Sequence, residues 1–162
     1  GVTNEEIKLG MASFHGVDRR FDFKLKTDKV VYLSDYAHHP EEIRQSILSM
    51  RALYQDKKIT AVFQPHLYTR TRDFYQEFAD SLSLLDEVIL TDIYPARELP
   101  IEGVSSELIY NHLRAGIEKT LCTKEEVLDV LRNKHIEVLI TLGAGDIENY
   151  ASNICEILKE KC

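Results

Sequence analysis

The stretch "VVYLSDYAHHPEEIRQSILSM", residues 30–50, holds an apolar run, a polar knot and an apolar periodicity in immediate succession. The β-branched and aromatic residues up to Leu33 predict a strand near 29–34. Asp35, Tyr36, His38 and His39 then place a carboxylate, a phenol and two imidazoles within five residues. Pro40 suits the first turn of a helix, where its missing N–H has no partner to lose. Ile43, Ile47 and Met50 recur on one helical face, so the helix runs to about Tyr54. Strand, polar loop and helix in this order form half of a parallel βαβ unit, and the polar loop lies beyond the strand's carboxyl end.

The flanking sequence extends the pattern. "FDFKLKTDKVVYLS" (21–34) alternates around "KTDK", predicting a hairpin with strands near 21–26 and 29–34. "ITAVF" (59–63), "EVILT" (87–91) and "IEVLITL" (136–142) are continuous apolar runs, as in strands covered on both faces. Helices are predicted over 71–84, with Phe74, Phe78 and Leu82 buried, and over about 105–115, starting at Ser105 or Ser106. "TKEEVLDVLRNK" (123–134) carries a capping box, Thr123 with Glu126, and the apolar face Val127, Val130 and Leu131. Ile147 to Leu158 closes the chain as a helix. The expectation is an α/β, Rossmann-like three-layer domain: a mostly parallel sheet with an antiparallel edge hairpin and helices on both faces.

At 162 residues the chain reads as a single domain, 1–162, long enough to bury roughly 70% of its unfolded surface. A net charge of −7 argues against a general nucleic-acid or membrane-surface binder, since those present a basic face. Cys122, Cys155 and Cys162 are odd in number and lack metal-type spacing, which fits a reducing cytoplasm. No apolar run approaches the roughly 20 residues of a membrane span. "GVTNEEIKLGMASF" (1–14) reads as a short amphipathic helix joined by a loop to a strand, and the absence of an initiator Met suggests a piece of something longer.

Open parallel sheets bind ligands beyond the carboxyl ends of their strands. The segments there are "DYAHHP", "QPHLYTRTRD", "DIYPARE" and "GAGD", whereas "QDKK" and "RNKH" at the opposite edge read as plain solvated turns. One edge of the sheet is therefore expected to be a site. Arg70, Arg72 and Arg97 gather there despite the negative total charge, so the ligand carries carboxylate or phosphate groups that guanidinium forks bind. Asp35 is placed to accept hydrogen bonds from a ribose hydroxyl. "LGAGD" offers a close backbone approach before a helix, although it lacks the third glycine of a dinucleotide fingerprint. No phosphate loop ending in Lys-Ser/Thr is present, so a triphosphate would be held mostly by another domain.

Structural readings stand beside these. His39 can simply close the helix start, and His38 can be a satisfied core histidine. Arg72 can pair with Asp73 or Glu77, and Glu98 with a nearby arginine. Tyr94-Pro95 reads as loop packing, Cys122 as a small buried apolar residue, and Asp146 as a cap for the last helix. Adjacent His38 and His39 with no accompanying cluster give no metal site.

"FHGVDRRF", "DYAHHPEEI", "FQPHLYTRT", "DIYPARELPIEGVSS" and "LGAGDI" stand in this order along essentially the whole chain. Together they resemble the C-terminal third of the Mur ligase family, in its alanine-adding branch. The resemblance implies a domain that closes over a central ATPase domain, with residues 1 to about 20 as the hinge. The implied reaction is cytoplasmic, ATP-dependent addition of L-alanine to UDP-N-acetylmuramate through an acyl phosphate, for peptidoglycan synthesis. ATP, Mg2+ and the UDP-sugar would be held mainly by the central and N-terminal domains, so the fragment alone is expected to be inactive. By the same resemblance Arg20 contacts ATP, Asp35 reaches the ribose, and Tyr36 lies beside nucleotide and amino acid. His38 faces the reacting groups, and His66 with Arg70 holds the alanine-derived carboxylate. Some family members carry an arginine directly after that histidine; here it is Leu67, which leaves more of the carboxylate binding to Arg70. The alternatives are a murein-tripeptide recycling ligase, which shares an Ala-His-His-Pro loop, and a non-catalytic nucleotide- or anion-binding module.

Overall fold

A computed structural model of the chain, describing residues 1–13 and 17–162, arranges these segments around one six-stranded sheet. The strands are β1 (Asp22–Lys26), β2 (Val31–Asp35), β3 (Ile59–Phe63), β4 (Glu87–Leu90), β5 (Glu118–Leu121) and β6 (Val138–Leu142), in the order β1-β2-β6-β3-β4-β5. β1 runs antiparallel to β2, with a bulge between Phe23 and Leu25, and every other pair is parallel. The Rossmann-like expectation and its antiparallel edge are both observed.

Alternation along the strands builds two cores. Val31, Leu33, Ala61, Phe63, Val88, Leu90, Ile140 and Leu142 face α2 (Pro40–Leu53), α3 (Tyr68–Leu82) and α4 (Glu107–His112). Tyr32, Val62, Ile89 and Leu139 face α5 (Val127–Arg132) and α6 (Ala151–Glu160). Each strand thus sends successive side chains into opposite layers, which is why the interior strands read as unbroken apolar runs.

The register positions the site. Asp35 lies opposite Leu142, Leu142 opposite Phe63, Phe63 opposite Leu90, and Leu90 opposite Leu121. Five strands therefore end level, and their outgoing loops start abreast. Helices α2 and α3 leave β2 and β3 onto one face, while the chain leaving β6 turns to the other. The crevice of a doubly wound sheet opens where the chain departs in opposite directions, here beyond β2, β6 and β3.

Several local expectations need correction. β5 has no counterpart among the predicted elements: "EKTL" is a polar edge strand with no buried residue. α3 begins at Tyr68 and departs from helical geometry at Phe74 (φ −128°, ψ 18°), which leaves Phe74 exposed instead of in the core. α4 is shorter than predicted because Ser106 Oγ bonds to the Thr91 carbonyl and the chain leaves the helix at Leu113 for a turn with Gly116 at φ +89°. The closing helix starts as a 3-10 turn, Ile147–Tyr150. "QDKK" and "RNKH" are not plain turns, since Lys58 and Lys134 both reach the buried Glu87 carboxylate. The N-terminal helix α1 (Asn4–Ser13) is exposed along its whole length. Phe14, His15 and Gly16, which begin the "FHGVDRRF" motif within the expected hinge, lie outside the described residues.

Candidate functional site

The loop after β2 is fixed at both ends. Tyr36 N–H donates to the Arg19 carbonyl at 2.7 Å, tying the loop to the segment before β1. Glu42, in the first turn of α2, accepts from His38 N–H (3.0 Å) and His39 N–H (3.2 Å). The carboxylate therefore closes the helix start, with His39 at the N-cap position and its ring directed at Phe74, 5.7 Å away. His38 is not a core residue. Its Nδ1–H donates to the Tyr36 carbonyl at 2.9 Å, which leaves Nε2 with a free lone pair in the neutral ring.

The loop after β3 is bent against local preference. Leu67 adopts φ +73° and ψ 134°, a conformation that glycine tolerates and a leucine does not favour. It is held there from several sides. The Leu67 carbonyl accepts from Thr71 N–H (3.1 Å) and Thr71 Oγ (2.9 Å), and Leu67 N–H donates to the Tyr94 carbonyl at 2.9 Å. Glu98, expected to pair with an arginine, instead accepts from the N–H and hydroxyl of Thr69 and so caps the start of α3.

These two loops bring their rings together. Tyr36 and His38 lie 5.2 Å apart, His38 and His66 6.0 Å, and His66 stacks on Tyr94 at 5.6 Å with planes 25° apart. Arg70 Nη1–H donates to His66 Nδ1 at 3.3 Å. Burial, and next the positive charge of Arg70, hold the His66 imidazolium pKa below its ordinary value. His66 is thus neutral, with Nδ1 accepting from Arg70 and its proton on Nε2. The remaining N–H groups of the Arg70 guanidinium form a planar fork of the kind that binds carboxylates. The His38 ring lies beside that of His66, 6.0 Å away with planes 63° apart.

The remaining arginines divide. Arg19 and Arg20 lie over the Tyr36 ring, with guanidinium carbons 4.6 and 5.5 Å from its centre. Arg19 also donates to the Gly145 carbonyl at 3.3 Å. Arg20 lines a cavity of about 300 Å³ with Asp35, Ser46 and Ser49. Asp35 is turned inward: its carboxylate accepts from Ser46 Oγ and, at 3.3 Å, from Ala37 N–H. It opens onto the Arg20 cavity and not onto the imidazole row. Arg72 pairs with Asp73 at 2.7 Å, and Arg97 is exposed with no ion pair among the described residues. Of the three arginines expected to gather, only Arg70 joins the cluster.

Beneath the row lies a network that sequence reasoning missed. Buried Gln64 donates to Asp146 at 2.8 Å and accepts from Ile147 N–H at 3.0 Å, and Lys124 pairs with the same aspartate. Asp146 therefore ties three loops together instead of capping the last helix. A Cβ at Gly143, where φ is +139°, would sit 2.7 Å from the Gln64 carbonyl oxygen. The polar Gln64 after an apolar strand was the one available signal; Lys124 offers none. Cys122 is half-buried, and burial pushes its thiol up to about 11, so it packs as a small apolar group. It borders a larger cavity of about 500 Å³ beyond β4 and β5, which holds none of the residues of the ring cluster.

Comparison with known proteins bears on this arrangement. The family described as "Mur ligase, glutamate ligase domain" matches residues 19–152. The UDP-N-acetylmuramate–L-alanine ligase of Phocaeicola vulgatus is 78% identical, over 99% of this chain and 35% of its own length. The enzyme of the same name from Parabacteroides distasonis is 59% identical, over 98% of this chain and 34% of its own length. The chain thus spans about a third of the curated relatives it matches. Among solved structures, the UDP-N-acetylmuramate-alanine ligase of Thermotoga maritima superposes with a TM-score of 0.73 at 27% identity, covering 92% of this chain and 32% of that one. A structure described as a domain from a UDP-N-acetylmuramate:L-alanyl-γ-D-glutamyl-meso-diaminopimelate ligase of Haemophilus ducreyi shares the fold. Its TM-score is 0.63 at 20% identity, over 86% of this chain and 99% of that one.

Proposed function

The chain belongs to the Mur ligase family through its glutamate ligase domain, and on that premise we propose that it is the amino-acid-binding C-terminal domain of an ATP-dependent UDP-N-acetylmuramate–L-alanine ligase. The identity to enzymes of that name supports the alanine reading over a tripeptide ligase. The observation that carries the chemistry is the convergence of Arg70, His66 and His38 at the sheet's carboxyl edge.

The roles follow from donor and acceptor geometry. Arg70, backed by the neutral His66 ring, takes the alanine carboxylate on its guanidinium. His38 Nε2 accepts the proton that the amine must lose as its nitrogen attacks the acyl carbon of the muramoyl phosphate. The new C–N bond forms, the C–O bond to phosphate breaks, and inorganic phosphate leaves. Holding amine and acyl carbon in register makes the step effectively unimolecular, and closing the domain keeps water from the acyl phosphate. Tyr36, between His38 and the two arginines, borders both amino acid and nucleotide.

ATP is the co-substrate that activates the muramate carboxylate. The Arg20–Asp35 cavity has the donor set for its nucleotide end: a guanidinium for phosphate oxygens and a carboxylate for ribose hydroxyls. Residues 1–20 act as the hinge to a central domain that supplies most of the ATP and Mg2+ contacts, and the reaction runs in the cytoplasm. No helix among the described residues is long and apolar enough to cross a membrane. The test is phosphate release by the full-length protein. It is expected only when ATP, UDP-N-acetylmuramate and L-alanine are all present. Release supported by the murein tripeptide but not by alanine overturns the assignment, and no release with either amine leaves a binding module.

A further inference from the structure

Tyr94 lies in the loop after β4, outside every role assigned above. We propose that Tyr94 is the positioning residue for the carboxylate cradle, and that position 145 is glycine to admit its ring. The inference rests on the proposed alanine reading. Among the described residues, His66 is anchored on only one nitrogen, by Arg70 at 3.3 Å. Where its Nε2–H points is set by the rotation of the ring, and the Tyr94 ring covers one face of it at 5.6 Å and 25°. The edge of the His38 ring bounds it on another side, at 6.0 Å.

The backbone makes the same connection. Tyr94 N–H donates to the Pro65 carbonyl (2.8 Å) and its carbonyl accepts from Leu67 N–H (2.9 Å), so Tyr94 brackets His66 as a strand would. The bracket secures the turn at Leu67, which its own dihedral preference opposes. On the far side, a Cβ built on Gly145 falls 2.8 Å from both Cβ and Cγ of Tyr94 and 2.2 Å from Gln64 Oε1. Any side chain there would push the tyrosine off the imidazole or dislodge Gln64. Three loops, after β3, β4 and β6, therefore meet at the Tyr94 ring. Its hydroxyl makes no hydrogen bond among the described residues, so the ring and not the phenol does the positioning.

The test uses the full-length protein with Tyr94→Ala, Tyr94→Phe and Gly145→Ala, reading KM for alanine and for ATP, together with the His66 ring resonances. Loss of the stack is expected to raise KM for alanine by about five- to tenfold in Tyr94→Ala. KM for ATP should stay within about twofold. Gly145→Ala should act in the same direction, and Tyr94→Phe should restore the wild-type value. The His66 signals of Tyr94→Ala should move at every pH while those of His135, at the opposite edge of the sheet, stay fixed. Equal rises in both KM values, an unchanged alanine KM, or a phenylalanine variant as impaired as the alanine one overturns the proposal. If the wild-type protein does not use alanine at all, the resonances decide alone. Movement of His66 then sustains the positioning while the substrate reading falls, and unmoved His66 signals end both.

Discussion

Replacing Arg70 with alanine removes the guanidinium hydrogen-bonded to His66 and leaves the imidazole in place. A hydrogen bond to a charged group contributes about 1.5–3 kcal/mol, and a carboxylate held by Arg70 loses its only cationic partner in the cradle. The expected loss in kcat/KM for alanine is therefore roughly 10- to 150-fold. His66 also responds, though less: burial is the larger cause of its lowered pKa, and burial survives the substitution. Its imidazolium pKa should rise only part of the way to the ordinary value, leaving the ring neutral at working pH. Arg70→Lys keeps the charge and loses the fork, so it should fall between wild type and alanine. The assay is initial-rate phosphate release by the full-length protein, varying alanine at saturating ATP and then the reverse. KM for ATP should stay within about twofold, because Arg20 and Asp35 line a separate cavity. Equal losses toward both substrates would falsify the assignment of Arg70 to the carboxylate.

Four further outcomes are expected. Glu87, 1% exposed, is held below the ordinary carboxylate range, since Lys134 and Lys58 together outweigh the upward push of burial. A depressed folded-state pKa adds stability above the unfolded value near 4.5 that disappears as pH falls through the folded one. Urea midpoints of the wild type should thus drop toward those of Glu87→Gln in acid, and parallel curves from neutral pH to below pH 4 would contradict the pairing. At neutral pH Glu87→Ala should cost about 2 kcal/mol, because Lys58 keeps Glu118 at 2.7 Å and both lysines are partly solvated. Gly143→Ala forces a Cβ to 2.7 Å from a backbone oxygen at φ +139°, so it should cost at least about 2 kcal/mol and lower Tm by roughly 4–8 °C; an unchanged Tm would show that the loop relaxes freely. The isolated domain should unfold in one cooperative transition yet release no phosphate with alanine and ATP; alanine-dependent release from it would place the phosphoryl chemistry within these residues.

Much of the architecture was legible because burial on both faces writes itself as an unbroken apolar run. β2, β3, β4 and β6 were read to within a residue or two for that reason, and α2 from Pro40 with Ile43, Ile47 and Met50. β5 escaped because an edge strand need not be apolar, and "EKTL" pairs on one side only. Phe74 was misassigned because the periodicity assumes an unbroken helix, and α3 departs from one at that residue. At the site, the loops that carry Tyr36, His38 and His66, and the helix start that carries Arg70, were legible from their position after strand ends, while the individual residues came from the family resemblance. The inward turn of Asp35 toward Ser46, eleven residues on, was not. Nor were the Gln64–Asp146–Lys124 network and the Tyr94 stack, since they join loops brought together only by the sheet order.

The central claim is that one amino-acid carboxylate docks where His66, in the loop after β3, meets Arg70, in the first turn of α3. A structure of the full-length protein holding its alanylated UDP-sugar product tests it most directly. The account predicts the alanine carboxylate on the Arg70 guanidinium beside the His66 ring, and the new amide facing His38. A carboxylate seated on Arg97 or Arg20, with Arg70 and His66 left facing solvent, would contradict it.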